Sequence, residues 1–150
     1  MSDCEKFRFA LRRTWNRSRQ YCLFIGLNPS TATKYADDPT IRRCVRFATD
    51  WGYGGLYMAN LFAYRATQPE KMMQAADPTG FYNDELLEMM AHGAGVIVCA
   101  WGAHGSFLGR DKYVKKLLSG HNLMCLGVTK SGQPKHPLYL KADTPLRPYS

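Results

Sequence analysis

The sequence lacks the features that would place it in a membrane, in an oxidising compartment or around a metal. It has no apolar run near 18 residues and no apolar leader after a charged start, which predicts a soluble cytoplasmic protein. The five cysteines include no C-x-x-C pair and three lie in apolar runs, so we expect no disulfide framework or iron–sulfur site. The four histidines show no ligand spacing either, and we therefore expect no metal site.

The common nucleotide-binding and hydrolase motifs are also absent. There is no phosphate-binding G-x-x-x-x-G-K-[ST] loop and no dinucleotide-binding G-x-G-x-x-G. A zinc-protease H-E-x-x-H and a G-x-S-x-G nucleophile elbow are missing too. The positions of the polar residues relative to the predicted strands are therefore the features that can indicate a reaction.

What is present is the composition of one globular domain. At 150 residues the chain is long enough to bury about 68–70% of its unfolded surface. A content of 45% hydrophobic and 13% aromatic residues argues for a core and against disorder. We predict a single α/β domain over residues 1–150, with a basic N-terminal segment at 1–20 and a core at 21–140.

The net charge of +8 is unevenly distributed along the chain. Residues 1–50 carry ten Lys or Arg against five Asp or Glu, and residues 101–150 carry eight against two. Residues 51–100 are acidic, with two basic against five acidic side chains. Basic ends around an acidic middle indicate one positive face, which is typical of a protein that binds a polyanion such as nucleic acid. The alternative is a charge that serves solubility alone.

Apolar runs bounded by turn residues predict four strands, at residues 21–26, 56–60, 96–100 and 122–128. Helices are predicted to alternate with them, at residues 39–48, 67–73, 83–92 and 107–118. Asp38 and Asn83 are the predicted N-caps of two of these helices. The alternation predicts an α/β fold with a central, mainly parallel sheet of four strands covered on both faces. We interpret the basic residues 4–20 as a solvated surface segment in preference to an edge strand.

Polar residues follow every predicted strand, at positions where a core does not need them. Asn28 follows the first strand, Asn60 the second, His104 the third and residues 131–136 the fourth. In a parallel sheet these loops emerge at one edge, so we expect them to converge. Taken singly, each residue is more often a turn former or a structural histidine than a catalyst. Their convergence is what favours a functional site.

Several motifs resemble the uracil-DNA glycosylase superfamily. L-F-I-G-L-N-P at residues 23–29 is similar to its first motif, in the G-I-N-P-G form of the mismatch-specific and thymine glycosylase branch. Y-M-A-N-L-F-A-Y-R at 57–65 resembles its second strand, and residues 96–102 resemble its hydrophobic strand followed by a glycine. K-H-P-L-Y at 135–139 is similar to its H-P-S motif.

The chain also looks closely like a family of small, functionally uncharacterised bacterial and phage proteins. These proteins carry L-N-P-S-T-A, D-D-P-T-I-R-R and H-P-L-Y, which stand here at residues 27–32, 37–43 and 136–139. This second resemblance implies no activity of its own.

The glycosylase resemblance implies a three-layer α/β/α fold with four parallel strands. It also implies base excision without a cofactor, in which a nucleotide is turned out of DNA and its N-glycosidic bond is hydrolysed. Asn28 would position the attacking water, Asn60 would hydrogen-bond the base, and His136 would donate to the departing base. Leu138 or Tyr139 would enter the vacated base stack. Further substrate contacts are expected from Gly26, Leu27, Pro29 and Ser131.

The chain departs from the glycosylase pattern at two places. Residues 30–38 do not follow it, which leaves the base-stacking aromatic open among Tyr35, Phe62 and Trp51. Leu138 stands where the H-P-S motif has serine, so a phosphate contact is weakened there. Strict uracil specificity is therefore not assumed, and a modified base is an alternative target.

Three functions are compatible with these residues: a DNA glycosylase, an enzyme on free nucleosides or nucleotides, and a non-catalytic nucleic-acid-binding protein. We expect a monomer whose partner is duplex or single-stranded DNA, with no membrane partner. The cations expected at a nucleic-acid backbone are Arg42, Arg43, Lys130 and Lys135. A solvated surface is the alternative for each of them.

Overall fold

The computed structural model of the protein describes residues 6–30, 32 and 36–150. The predicted α/β class is confirmed. Within the described residues the strands, in chain order, are β1 Leu11–Thr14, β2 Tyr21–Gly26, β3 Gly55–Asn60, β4 Val96–Cys99, β5 Leu123–Cys125 and β6 Arg147–Pro148. The α-helices there are α1 Pro39–Asp50, α2 Pro69–Met73, α3 Asn83–Gly93 and α4 Arg110–Leu117, and 3₁₀ segments cover Ala103–Gly109 and Pro137–Tyr139.

Over the described ranges the strands form one mixed, six-stranded sheet in the order β1-β3-β2-β4-β5-β6. The pairs β3·β2, β2·β4 and β4·β5 are parallel, whereas β1 and β6 pair antiparallel at the two edges. The prediction of a four-stranded sheet is therefore not confirmed. Both added strands are short and carry arginines, so they lack the apolar runs that mark the inner strands.

The interpretation of residues 4–20 as solvated surface is wrong for part of that segment. Leu11 is buried and pairs with Met58 of β3, which makes β1 an edge strand. Arg8 and Phe9 are buried as well. The high charge of the segment favours solvated surface, whereas the edge strand, the alternative to it, is present at Leu11–Thr14.

Alternate residues of β2 enter two hydrophobic clusters, one on each face of the sheet. Leu23 and Ile25 pack in a cluster that includes residues of α3 and α4, whereas Cys22 and Phe24 pack in a cluster built on α1. All four side chains are fully buried. A strand covered by helices on both faces reads as a continuous apolar run, which is why β2 could be predicted from the sequence.

The strands β3 and β4, which follow β2 in the chain, lie on opposite sides of β2 in the sheet. Helix α1 leads from β2 to β3, whereas the next connection carries the chain past β2 to β4. Because the connections diverge here, the carboxyl ends of β2 and β4 border a crevice, which is where open α/β sheets bind ligands. No helix in the described part of the chain is both long and apolar enough to cross a membrane.

One predicted N-cap is confirmed and the other is wrong. The carboxylate of Asp38 accepts a hydrogen bond from the backbone N–H of Ile41 at 2.8 Å, and Pro39 begins α1 as predicted. Asn83 instead is the first residue of α3, after Tyr82 at the N-cap position. Its side chain is fully buried and binds the end of β3, because tertiary contacts override the local capping preference.

Candidate functional site

A cavity of about 470 Å³ lies at the carboxyl ends of the inner strands. This is within the range of about 300–1,000 Å³ that is usual for small-molecule sites. The cavity is bordered by the loops after β2, β3 and β4, by the start of α1 and by the loop that begins at His136. The predicted site residues that it brings together are Gly26, Leu27, Asn28, Pro29, Asn60, His104, His136, Leu138 and Tyr139.

Asn60, the last residue of β3, presents an amide to this cavity. The residue is only 4% exposed, yet no described residue makes a hydrogen bond with its side chain. It pairs in register with Gly26 of β2, where a Cβ atom would lie 2.9 Å from Oδ1 of Asn60. Glycine at position 26 therefore makes room for an amide that can both donate to and accept from a ligand.

Asn28 lies in the loop after β2, and the protein holds the nitrogen of its amide. Nδ2 donates to the carbonyl oxygens of Ala66 at 2.9 Å, Pro29 at 3.2 Å and Tyr64 at 3.3 Å. These carbonyls fix the orientation of the amide, since only the nitrogen can donate. Oδ1 is then the atom left to accept a hydrogen bond, and no described residue donates to it.

His136 is held at the cavity by its own loop. Its Nδ1 accepts a hydrogen bond from the backbone N–H of Leu138 at 3.2 Å, which requires the tautomer protonated on Nε2. Burial lowers the pKa of His136 below its ordinary value of 6.5, with an opposing effect from Asp38. The residue as a whole keeps exposed surface. At neutral pH the imidazole is therefore uncharged and has one N–H to donate.

A group of polar side chains lies behind the end of β3, and we call Asn83, Asp84 and Arg110 the backing cluster. Nδ2 of Asn83 donates to the carbonyl oxygens of Asn60 and Leu61, at 2.9 Å each. Nε of Arg110 donates to Leu61 O at 3.0 Å, and its Nη1 lies 2.8 Å from the carboxylate of Asp84. These bonds fix the backbone from which the Asn60 side chain projects.

A second buried network holds the His136 loop to the end of β4. Nε1 of Trp101 donates to Oε1 of Gln133 at 2.8 Å, and Nε2 of Gln133 donates to Asp111 at 2.9 Å. The N–H of Gly102 also donates to Pro134 O at 2.9 Å. The loops after β4 and β5 are therefore joined directly beside His136.

Arg8 is a cavity residue that the sequence did not reveal. Its side chain lines the cavity and is only 3% exposed. Burial, together with the nearby charge of Arg65, lowers the pKa of Arg8 to about 10, while Asp38 has the opposite effect. Nothing in the sequence separates Arg8 from the arginines around it, because its burial depends on contacts with distant loops.

Several predicted substrate contacts lie away from the cavity lining. Phe62 is fully buried and packs against Phe107, and the partly buried Trp51 stacks with Phe24 and Phe47. Ser131 lies in an exposed turn, 3.0 Å from the hydroxyl of Thr129. Tyr35 lies outside the described residues. Within those residues, no three His, Cys, Asp or Glu side chains are grouped closely enough to hold a metal ion.

A groove lined by arginines of α1 adjoins the cavity, and an exposed tyrosine lines the cavity itself. Arg42, Arg43 and Arg46 of α1 line a groove of about 300 Å³ together with Pro39 and Leu138. Pro39 and Leu138 also line the main cavity, so the two spaces adjoin. Tyr139 beside them is 90% exposed. The other predicted cations, Lys130 and Lys135, are exposed in the loop that leads to His136.

The family model described as "Protein of unknown function (DUF1643)" matches residues 8–138. The match runs from Arg8 to Leu138 and so spans almost the whole cavity lining. No curated protein and no solved structure matches the chain.

Proposed function

The chain belongs to the DUF1643 family, and we propose that it is a DNA glycosylase-like hydrolase, which cleaves the N-glycosidic bond of an unusual, mismatched or modified base. The observation that carries the proposal is that Asn28, Asn60 and His136 line one cavity, although they lie in loops or at strand ends far apart in sequence. These are the residues to which the resemblance to uracil-DNA glycosylases assigns roles. Parallel inner strands with helices on both faces support the same comparison.

Hydrolysis adds water to C1′ of the sugar while the bond from C1′ to the base nitrogen breaks. The electron pair of that bond leaves with the base, and the water loses a proton to solvent. Oδ1 of Asn28 accepts a hydrogen bond from the water, and this orients a lone pair of the water oxygen towards C1′. An amide oxygen orients the water in this way without deprotonating it. The Nδ2 contacts of Asn28 keep Oδ1 in this orientation.

The negative charge that develops on the base is the largest electrostatic demand of this reaction. Nε2–H of His136 is the donor for it, because Nδ1 is already an acceptor for Leu138 N–H. A single well-placed donor to developing charge contributes roughly 2.7–4 kcal/mol. The amide of Asn60 donates and accepts at the edge of the base, and its lack of a protein partner supports this role.

Two features favour a polynucleotide over a free nucleoside. The arginine row of α1 lies beside the cavity mouth, where it can neutralise phosphates next to an extruded nucleotide. Exposed Tyr139, next to Leu138, offers an apolar ring to the stack from which the base has left. Both fit an enzyme that removes a base from the stack before it reacts.

The proposal is tested by measuring abasic-site formation on oligonucleotides that carry uracil, mismatched or modified bases. We expect wild-type protein to cleave at least one of them and Asn28→Ala to lose about 100-fold or more in turnover. Asn122→Ala, at an exposed asparagine, is the matched control and should keep full activity. If no base is released and Asn28→Ala changes no measured property, catalysis by this site is ruled out.

A second measurement separates catalysis from DNA binding. His136→Ala should lower turnover more than duplex affinity, because its donor acts on the departing base. Equal losses in both would mean that His136 contacts the backbone only. Duplex affinity should also fall steeply with added salt if several phosphates are neutralised, and a flat salt dependence would favour a free nucleotide as substrate.

A further inference from the structure

The guanidinium of Arg8 is a buried charge at the wall of the cavity. The residue is 3% exposed, and its backbone N–H donates to Ala63 O at 2.8 Å, which fixes it next to the loop after β3. A charge removed from water is costly unless an opposite charge and hydrogen bonds compensate for it. Arg8 therefore needs compensating groups close to its guanidinium.

The described residues supply only part of that compensation. Nη1 of Arg8 donates to Ala32 O, which is its one side-chain hydrogen bond to a described residue, and Nε is buried without a partner. No carboxylate among these residues forms an ion pair with Arg8. The guanidinium thus keeps both charge and donor capacity that the described residues do not use.

Asp38 is the acidic group whose charge favours protonated Arg8, but its oxygens are already engaged. Oδ1 accepts from Ile41 N–H at 2.8 Å and Oδ2 accepts from Ala32 N–H at 3.3 Å. The charges of Arg65 and Arg13 act in the opposite direction and disfavour the charged form of Arg8. Nε of Arg65 donates to Ser30 O at 3.3 Å, beside the same loop. Arg13 is itself paired with Asp37 at 2.7 Å, whereas Arg65 forms no ion pair with a described carboxylate, so Arg65 adds positive potential near Arg8.

The start of α1 adds to this positive potential. Pro39, Thr40 and Ile41 line the cavity, and they form the first turn of a helix of 12 residues. A helix N-terminus favours anions through its dipole and its free N–H groups. In this turn Pro39 has no N–H and the N–H of Ile41 donates to Asp38, so the contribution comes from the dipole and from Thr40. Arg8 is thus a buried cation in the cavity lining, whereas Asn28, Asn60 and His136 are uncharged at neutral pH.

We infer that the cavity contains a binding site for an oxyanion of its ligand, a phosphate or a carboxylate, which pairs with the guanidinium of Arg8. A charge-assisted bond from Arg to an oxyanion is among the strongest that proteins form, and it supplies the compensation that the described residues lack. This site goes beyond base excision, because an oxyanion would bind here whether or not a glycosidic bond is cleaved.

The test measures the binding of paired ligands by calorimetry, without any cleavage. One pair, uridine and uridine 5′-monophosphate, differs by a phosphate, and the other, uracil and 5-carboxyuracil, differs by a carboxylate. In at least one pair the anionic member should bind wild-type protein roughly tenfold tighter or more, the factor that one charge-assisted hydrogen bond supplies. The pair that shows the preference identifies the source of the oxyanion.

Arg8→Met should abolish the preference, whereas Arg17→Met, at an exposed arginine away from the cavity, should retain it. If Arg8→Met does not fold, Arg8→Gln keeps a donor for Ala32 O without the charge and should abolish the preference equally. Equal affinities within both pairs for wild-type protein, or a preference that survives the loss of Arg8, would overturn the inference. A protein that prefers the anion but releases no base from any oligonucleotide would overturn only the proposed function.

Discussion

Two asparagines at the carboxyl end of β3 are both buried, and their side chains are used in opposite ways. Asn83 is fully buried, and its nitrogen donates to Asn60 O and Leu61 O. Asn60 is nearly as buried, yet its amide makes no hydrogen bond with any described residue. The first belongs to the backing cluster, and the second faces the cavity.

The difference separates groups that position the site from groups offered to a ligand. A buried amide without a protein partner costs stability, and beside a cavity its donor and acceptor stay available to a ligand. A buried amide that binds backbone carbonyls instead stabilises the fold directly. Burial alone does not distinguish these two cases, whereas the presence or absence of side-chain hydrogen bonds to described residues does.

Asn60→Ala should cause the largest effect, and it should appear in activity alone. Removing the amide takes away the donor and acceptor for the base, so we expect turnover to fall about 100-fold or more. Unfolding by urea should be close to that of wild type, because no hydrogen bond within the described protein is lost. A variant that unfolds much more easily would show that Asn60 has a structural role like that of Asn83.

Asn83→Ala should have the reverse signature. It removes two hydrogen bonds and leaves Asn60 O without this donor, which should lower the free energy of unfolding by roughly 2–3 kcal/mol. Urea denaturation measures this loss, with Asn122→Ala as the exposed control. Any residual folded protein should still bind the ligand, since Asn83 does not line the cavity. An unchanged urea midpoint would mean that the side chain of Asn83 does not stabilise the fold.

Gly26→Ala sharpens the comparison by moving Asn60 without deleting it. The new Cβ would lie 2.9 Å from Oδ1 of Asn60, which is too close, so the amide must shift. Because the atom is the end of a side chain, we expect a stability cost of about 1 kcal/mol or less. Turnover should fall about tenfold, since misplaced contacts are costly in catalysis. Gly120→Ala is the control, because its Cβ would meet nothing within 4 Å. Unaltered turnover in Gly26→Ala would mean that the position of the Asn60 amide is not critical.

The sequence predicts those parts of the fold that depend on local pattern. The inner strands are apolar runs that alternate with helices, so the sequence predicts them as parallel strands. Because parallel strands end at the same edge of a sheet, it also predicts that Asn28, Asn60 and His136 meet there. Strands β1 and β6 are not predicted, because their sequences are polar. Pairing with a neighbouring strand is what makes them strands, and this pairing exists only in the folded sheet.

The predictions that failed depend on tertiary contacts. Asn83 has the sequence signature of an N-cap, but its amide donates to the carbonyl groups of Asn60 and Leu61, and Tyr82 takes the N-cap position. Arg8 is one of several arginines near the start of the chain, and only folding separates the buried one from the solvated ones. Patterns of one residue type cannot predict such contacts, since the partners lie 22 to 24 residues away.

The smallest expected effect concerns the charge of His136 and is a pH dependence of stability. Because burial lowers the pKa of His136 in the folded state, the unfolded chain binds more protons just below pH 6.5, the ordinary value. Stability should therefore fall as the pH is lowered from 6.5 through the folded-state pKa, and His136→Gln should remove that part of the loss. Urea midpoints between pH 5 and 7.5 measure the difference, with His92→Gln as an exposed control.

A greater loss of stability on raising the pH would mean that Asp38 outweighs burial and that the imidazole is charged in the folded protein. The donor to the leaving base would then be an imidazolium.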